Sequence, residues 1–278
     1  MEGGEMHRVR VSAVAASFGR DVSEGIGLIR RIVETAQSQG ADLVVLPECA
    51  IGGYLDPTSA DPEPPYLDRD GPEVASLMRM AGPTTICVGY SERGPGGPFS
   101  SAICLSGDGV HGHYRKVHLP PGEKGHYREG NSLSAFDTPV GRLGMLLCYD
   151  KIFPESASCL ALDGARIIAV MSAWPISRDR PAETVSGDRQ TRAFNVLDQS
   201  RAVDNQVGWV SSNQTGTFAG LRFLGNAKVV DPEGAILAQT SHRAGLATAT
   251  LDLHALEGLR RQISHLGDRR PEVYAQAA

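Results

Sequence analysis

No Cys-x-x-Cys pair occurs among the five cysteines, Cys49, Cys87, Cys104, Cys148 and Cys159. An odd, scattered set excludes a disulfide framework and a zinc knuckle, so each is read as a thiol. A basic run is missing too: 27 Lys plus Arg face 32 Asp plus Glu, for a formal charge of -5. Nucleic acid, which needs a phosphate-neutralising surface, is therefore not an expected partner. The longest apolar run, Ala165 to Ile176, is broken by Ser172 and Pro175. Crossing a bilayer takes about 20 apolar residues, so no membrane span is expected. Met1 to Arg8 lack a basic segment followed by an apolar one, which makes the cytoplasm the expected location. Without an export signal, Asn213-Gln214-Thr215 is a chance match to the glycosylation pattern. Gly-x-Ser-x-Gly is absent, which disfavours a serine hydrolase. Gly25-x-Gly27 and Gly94-x-Gly96-Gly97 lead into no nucleotide fingerprint, and no cofactor is expected.

What is present is an ordinary globular composition, 41% apolar over 278 residues, enough for a sizeable core in one domain. Arg8 to Ala15 alternates like a strand, Val22 to Gln39 has apolar residues at helical spacing, and Gly40 stops that helix. Ala41 to Pro47 is then a short buried strand ended by proline, completing a β-α-β unit. The cadence returns with strand Arg142–Cys148, helix Pro154–Asp163 and strand Ala165–Met171, and again with helix Gln190–Asn205 and strand Gln206–Ser212. Two hairpin-like stretches lie between, Thr84–Glu92 with Ser100–Leu105 and Gly112–Lys116, then Lys228–Asp231 with Ile236–Gln239 and Leu246–Leu251. Antiparallel pairs beside β-α-β units predict two mixed sheets packed on each other with helices outside. Asp56 to Gly71, rich in Pro, Asp and Glu, reads as an irregular loop. No linker or repeat divides the chain, so residues 1–278 are expected to form one domain.

Three positions carry candidate chemistry. Cys148 stands where the apolar strand ends and a helix begins at Pro154-Glu155. A thiol facing a helix N-terminus is expected to have a lowered pKa, with free backbone N–H groups nearby for an oxyanion. Taken alone, a cysteine there is as well explained as core, and the other four lie in strands or on a helix's apolar face. No histidine is obviously poised as its base. Glu48, at the C-terminal end of Leu43–Pro47, sits where apolar surroundings raise a carboxyl's pKa, although a loop glutamate is often simply exposed. Lys116 ends a strand before Pro120-Pro121-Gly122, where a lysine is usually solvated. His111-Gly112-His113 places two imidazoles on one strand face, but no third ligand is spaced to complete a metal site.

Together these residues are far more specific. Leu46-Pro47-Glu48 with Gly53-Tyr54, Tyr114-Arg115-Lys116 with His118, and Cys148-Tyr149-Asp150 with Phe153-Pro154-Glu155 resemble the nitrilase superfamily of carbon-nitrogen hydrolases. The spacings, 68 residues from Glu48 to Lys116 and 32 from Lys116 to Cys148, match its compact members. The likeness covers essentially the whole chain, including Asp268-Arg269-Arg270-Pro271-Glu272-Val273-Tyr274 near the end. It implies a four-layer α-β-β-α sandwich and a triad of Cys148 as nucleophile, Glu48 as general base and Lys116 against the oxyanion. It also implies Glu123 as a second glutamate positioning the amide, with Glu129 as a rival, and the backbone N–H of Tyr149 in the oxyanion hole.

Tyr54 and Trp174 are expected at the pocket, Trp174 equally as core or dimer contact, and Asp61, Glu63, Asp68 and Asp70 would favour a cationic or neutral substrate. Cys148-Tyr149-Asp150, in place of the Cys-Trp-Glu of true nitrilases, points to small amides; N-carbamoyl amines or amino acids and aliphatic nitriles are the alternatives. A catalytically silent binding protein of the same fold is weakened because all three triad positions are filled. The resemblance further implies a homodimer or higher homo-oligomer through helices Pro154–Asp163 and Gln190–Asn205. The polar tail His265–Ala278 is expected to pack across a partner or back over its own sandwich.

Overall fold

The structure is a computed structural model that describes residues 8–55 and 62–275. Strand β1 (Arg8–Ala16) begins with Arg8 and Arg10 exposed around Val9 and is buried throughout from Val11 on, so alternation holds only where one face meets water. Helix α1 (Val22–Ser38) starts at Asp21, whose carboxylate accepts the Glu24 N–H at 2.9 Å, and lays Ile29, Val33 and Ala36 on the sheet. There follow β2 (Leu43–Val45), α2 (Pro72–Ala81), β3 (Thr85–Gly94), β4 (Gly97–Ser106) and β5 (Gly109–Arg115). The next unit holds β6 (Phe136–Thr138), β7 (Gly141–Leu147), a 3-10 turn (Cys148–Ile152), α3 (Pro154–Leu162) and β8 (Ile167–Ser172). Then come α4 (Arg189–Asn205), β9 (Gly208–Phe218), β10 (Leu221–Leu224), β11 (Lys228–Val230), β12 (Ile236–Gln239), β13 (Gly245–Asp252), α5 (Leu253–Gln262) and α6 (Pro271–Tyr274).

Hydrogen bonding runs in the order β5-β4-β3-β2-β1-β9-β8-β7-β6. Neighbours are parallel at β3-β2-β1 and β9-β8-β7 and antiparallel in the outer hairpins. Among the described residues β1 and β9 pair only at Ala15↔Asn213 and Ala16↔Gln214, and the two halves fold face to face about that seam. One cluster fills the space between them, with Val11, Ala13, Leu43 and Val45 from one half and Leu143, Met145, Ile167 and Met171 from the other. The opposite faces are covered by α1 and α2 over Val44, Ile86 and Val88, and by α3 and α4 over Leu146, Ile168 and Trp209. This is the expected α-β-β-α layering.

Some local expectations are modified. β11 and β12 pair as a hairpin, but β13 leaves them to lie antiparallel on β1, Arg8↔Asp252 through Ala15↔Gly245. Cys159, expected on the apolar face of α3, is exposed. On the two helices expected at a subunit contact, Ala157, Leu160, Ala161 and Phe194 are buried inward, whereas Leu162 and Val196 are 51% and 59% exposed. The tail turns back on its own chain, where the His265 N–H donates to Gln206 at 3.1 Å and Leu266 packs on the α3–α4 cluster. Residues 276–278 of that tail lie outside the described residues. Among the described residues no helix is long and apolar enough to cross a membrane.

Candidate active site

Glu48 follows β2, whose parallel pairing with β1 and β3 delivers it to the strands' C-terminal end. Ligands of open α/β sheets bind at such ends. β3 comes close enough there that a Cβ on Gly89 would lie 2.8 Å from Glu48 Cα. The Glu48 carboxylate is fully buried: Oε1 accepts Lys116 Nζ at 2.7 Å and Ser100 Oγ at 3.3 Å, and Oε2 accepts the Ala173 N–H at 3.0 Å. Lys116, just beyond β5, also donates to both oxygens of Glu123 at 2.8 Å, and Tyr54 OH donates to Glu123 Oε1 at 2.7 Å. Glu123 rather than Glu129 thus reaches the lysine; Glu129 is exposed.

Burial by itself would strip the Lys116 proton, but Glu123 and Glu48 outweigh it and hold the ammonium well above its usual range. Burial pushes the Glu123 carboxyl up to about 7, with Lys116 pulling it back and Glu48 adding to the rise.

Cys148 ends β7 and opens the 3-10 turn with φ 46°, a left-handed conformation that costs a non-glycine residue about 1–3 kcal/mol and recurs at functional sites. Its side chain is nearly closed off, 7% exposed. The lowered thiol pKa expected from the helix N-terminus is not what this environment produces. Burial, reinforced by Glu48, pushes the thiol well above its usual range and Lys116 only partly opposes them. A buried anion costs more than a short turn's partial charge returns. Such a thiol needs a base at the moment it attacks.

A second buried carboxylate fixes the turn. Asp150 Oδ2 accepts the Leu147 N–H at 3.0 Å and Tyr114 OH at 2.7 Å, and Oδ1 accepts the His118 N–H at 2.9 Å and lies 2.9 Å from His118 Nδ1. The His118 ring stacks on Phe153 at 3.9 Å. These bonds tie the segment after Lys116 to the turn holding Cys148. All three residues stand inside the sequence motifs, yet nothing in the motifs says that they bond to one another.

Tyr149 is half-buried with its ring edge-on to Phe153, 5.3 Å away. Its N–H lies in the first turn of the 3-10 helix, where backbone donors have no intrahelical acceptor. The Tyr54 hydroxyl is committed to Glu123, and its ring packs edge-on against Phe223 at 6.0 Å. Phe218 and Phe223 of the β9–β10 hairpin join this wall and carry no mark in the sequence. Trp174 follows β8, buried beside Cys148, Phe194 and Val185, with its backbone N–H on Asn213 at 2.8 Å. Asn213 is itself fully buried, so its glycosylation pattern is a coincidence of β9.

Of the loop acids, Asp61 lies outside the described residues, Glu63 accepts Tyr66 OH at 3.1 Å, and Asp68 pairs with Arg93 at 3.4 Å in the open. His111 and His113 turn to different partners, Ser106 at 2.8 Å and Glu92 at 2.9 Å. Among the described residues no three His, Cys, Asp or Glu side chains gather as metal ligands.

Comparison with known proteins adds a second line. The profile of the carbon-nitrogen hydrolase family matches residues 10–261. A nitrilase of Pyrococcus abyssi is 31% identical, with 88% of this chain and 90% of that protein covered. An N-carbamoylputrescine amidase of Arabidopsis thaliana is 27% identical over 98% of this chain and 95% of its own length. A solved structure of a Nesterenkonia amidase mutant, carrying the acetamide moiety of fluoroacetamide on its active-site cysteine, shares the fold. It superposes with a TM-score of 0.78 at 23% identity, over 99% of this chain and 98% of that one. The chain belongs to the carbon-nitrogen hydrolases of the nitrilase superfamily.

Proposed function

We propose that this enzyme hydrolyses a small amide to a carboxylic acid and ammonia or an amine, with Cys148, Glu48, Lys116 and Glu123 as its catalytic residues. The observation that carries the reading is the buried ammonium of Lys116, held at 2.7 Å by Glu48 and 2.8 Å by Glu123, among charges that act directly on the Cys148 thiol. Glu48 takes the thiol proton as Sγ bonds to the carbonyl carbon, and the carbonyl electron pair moves onto oxygen. Lys116 has three protons and directs two bonds at one carboxylate, so releasing one of them frees a donor for that oxyanion. The Tyr149 N–H is the second donor. The C–N bond then breaks, the leaving nitrogen takes the proton from Glu48, and a thioester remains. Water attacks it, Glu48 receives the water proton, and the acid leaves as that proton returns to Sγ. Glu123, fixed by Tyr54 and Lys116, orients the substrate amide.

The Cys148-Tyr149-Asp150 sequence favours amides over nitriles, and the likeness to an N-carbamoylputrescine amidase supports N-carbamoyl amines as the second substrate class. We read the chain as one domain acting in the cytoplasm, and as at least a homodimer through the α3–α4 face where Leu162 and Val196 are exposed. Ammonia release from a panel of small amides, N-carbamoyl amines and nitriles tests the assignment. Turnover of amides, abolished in Cys148→Ala, Glu48→Gln and Lys116→Ala without loss of fold, is expected. A folded Cys148→Ala enzyme with full turnover, or wild-type turnover of nitriles alone, would contradict it.

A further inference from the structure

Asp198 of α4 is fully buried and binds two lysines. Its Oδ1 accepts Lys151 Nζ at 2.8 Å and Trp209 Nε1 at 2.8 Å, and its Oδ2 accepts Lys228 Nζ at 2.7 Å. Both lysines are also fully buried. Their ammonium groups stand over the Phe194 ring, 3.1 and 4.1 Å from its centroid. Arg201, on the next turn of α4, donates to the carbonyls of Lys151 and Ile152 and is balanced by Asp204 at 3.2 Å. Burial lowers the pKa of both lysines, that of Lys151 to about 8, which still leaves Lys151 mostly protonated at pH 7, so among the described residues one carboxylate faces two ammoniums and positive charge is left over in the interior. A single pair, or an apolar pair of like volume, would serve stability as well or better.

The surplus lies against the pocket. Lys151 is on the 3-10 turn that begins with Cys148, and its Nζ is 5.1 Å from the centroid of Trp174, which shares an apolar cluster with Cys148. In the proposed reaction the leaving nitrogen faces Glu48, and the acyl group is placed toward the apolar cluster that Trp174 and Val185 share with Cys148. A ring with an ammonium already on it is a poor partner for a second cation. Asp68 in the loop before Gly71 does not offset this, because it is exposed and paired with Arg93, and exposed charge is screened by salt where buried charge is not.

We propose that Lys151, acting through Trp174, is a positioning residue for specificity that makes the acyl pocket electropositive and selects neutral or anionic amides over cationic ones. This rests on the amide-hydrolysis reading above. The test uses three amides of equal length, pentanamide, the ω-carboxylate glutaramate and the ω-ammonium 5-aminopentanamide, with kcat/KM measured at pH 7. Binding to the Cys148→Ala protein is measured in parallel by calorimetry.

The wild type is expected to favour glutaramate over 5-aminopentanamide at least tenfold, as one unit charge at low effective dielectric would produce. Lys151→Met, which leaves Asp198 paired with Lys228, should reduce that ratio about tenfold. Lys228→Met should move it in the same direction by less. A general structural role would lower all three rates together and leave the ratio alone. The inference is overturned if 5-aminopentanamide is preferred, or if the ratio stays within twofold in both folded variants. If none of the amides turns over but the binding order holds, amide hydrolysis fails and the charge selection stands; if none binds, both fail.

Discussion

Replacing Gly89 with alanine is expected to damage activity far more than stability. The added Cβ would lie 2.8 Å from both Glu48 Cα and the Cys49 backbone nitrogen. That is 0.2 Å inside the 3.0 Å limit of real Cβ contacts and 0.6 Å inside ordinary contact at 3.4 Å. Both obstructing atoms are backbone, so no rotamer change relieves the clash, and β3 and the Glu48 segment must separate. Gly89 has no left-handed φ, so the penalty is steric alone.

Overpacking of this kind costs about 1–3 kcal/mol, which for a chain of this length lowers Tm by roughly 2–6 °C. The displaced residue is the proposed base, with hydrogen bonds of 2.7 and 3.0 Å to Lys116 and Ala173. A shift approaching 1 Å in reacting geometry costs on the order of 100-fold in rate. Gly144→Ala is the control, because its Cβ meets the Leu160 side chain of α3 at 2.8 Å, a similar overlap remote from the carboxylates. Calorimetry with steady-state kinetics should show a fall in Tm in Gly89→Ala and an equal or smaller one in Gly144→Ala, whose obstructing atoms belong to a side chain, but a loss of kcat/KM of about 100-fold in Gly89→Ala only. Equal kcat/KM in the two variants would refute the claim that this contact sets the position of Glu48.

Alkylation of Cys148 by iodoacetamide, followed by peptide mass mapping beside the exposed Cys159, should be slow at pH 7 and still rising past pH 9, because burial and Glu48 hold the thiol up; a plateau below pH 7 would contradict this. Glu123 is raised to about 7 from an ordinary 4.5, so the folded state holds a proton that the unfolded chain has released. Its contribution to stability is therefore full below pH 4.5 and is lost as pH rises through about 7, on the order of 3 kcal/mol. Urea titrations across that window should show this fall in the wild type and not in Glu123→Gln. Asp198→Leu would leave the Lys151 and Lys228 ammoniums without their carboxylate, and a loss of about 3–5 kcal/mol is expected in urea unfolding. Lys151→Met, which keeps one matched pair, should lose far less; equal losses would refute the charge accounting.

Periodicity and punctuation in the sequence determined most of the elements, because each depends on contacts a few residues away. α1, α3 and α4 were legible from apolar spacing and from Gly40 and Pro154, and the two inner-sheet strands β2 and β8 from their β-branched runs. α2 is absent from the sequence reading: Val74, Leu77 and Ala81 behind Pro72 carry its apolar spacing, but they directly follow the Pro- and Asp-rich loop, which hides where the helix starts. Glu48, Lys116, Glu123 and Cys148, the proposed catalytic set, stand out from the sequence only together, through the resemblance.

Tertiary structure alone decided how these residues meet. The pairing of β13 with β1 joins residues 236 positions apart at Ser12 and Thr248, and nothing local specifies such a register. The thiol's protonation also reversed its sequence expectation, because desolvation is set by everything packed around Cys148 and not by the turn it opens. Nothing in the sequence marks Lys151 or Lys228 as buried, and lysine is almost never fully buried unless it is paired. Only when α4 lies across the Cys148 turn and β11 do Asp198 and Phe194 meet both ammoniums, and that long-range packing turns two unremarkable lysines into a buried charge beside the pocket.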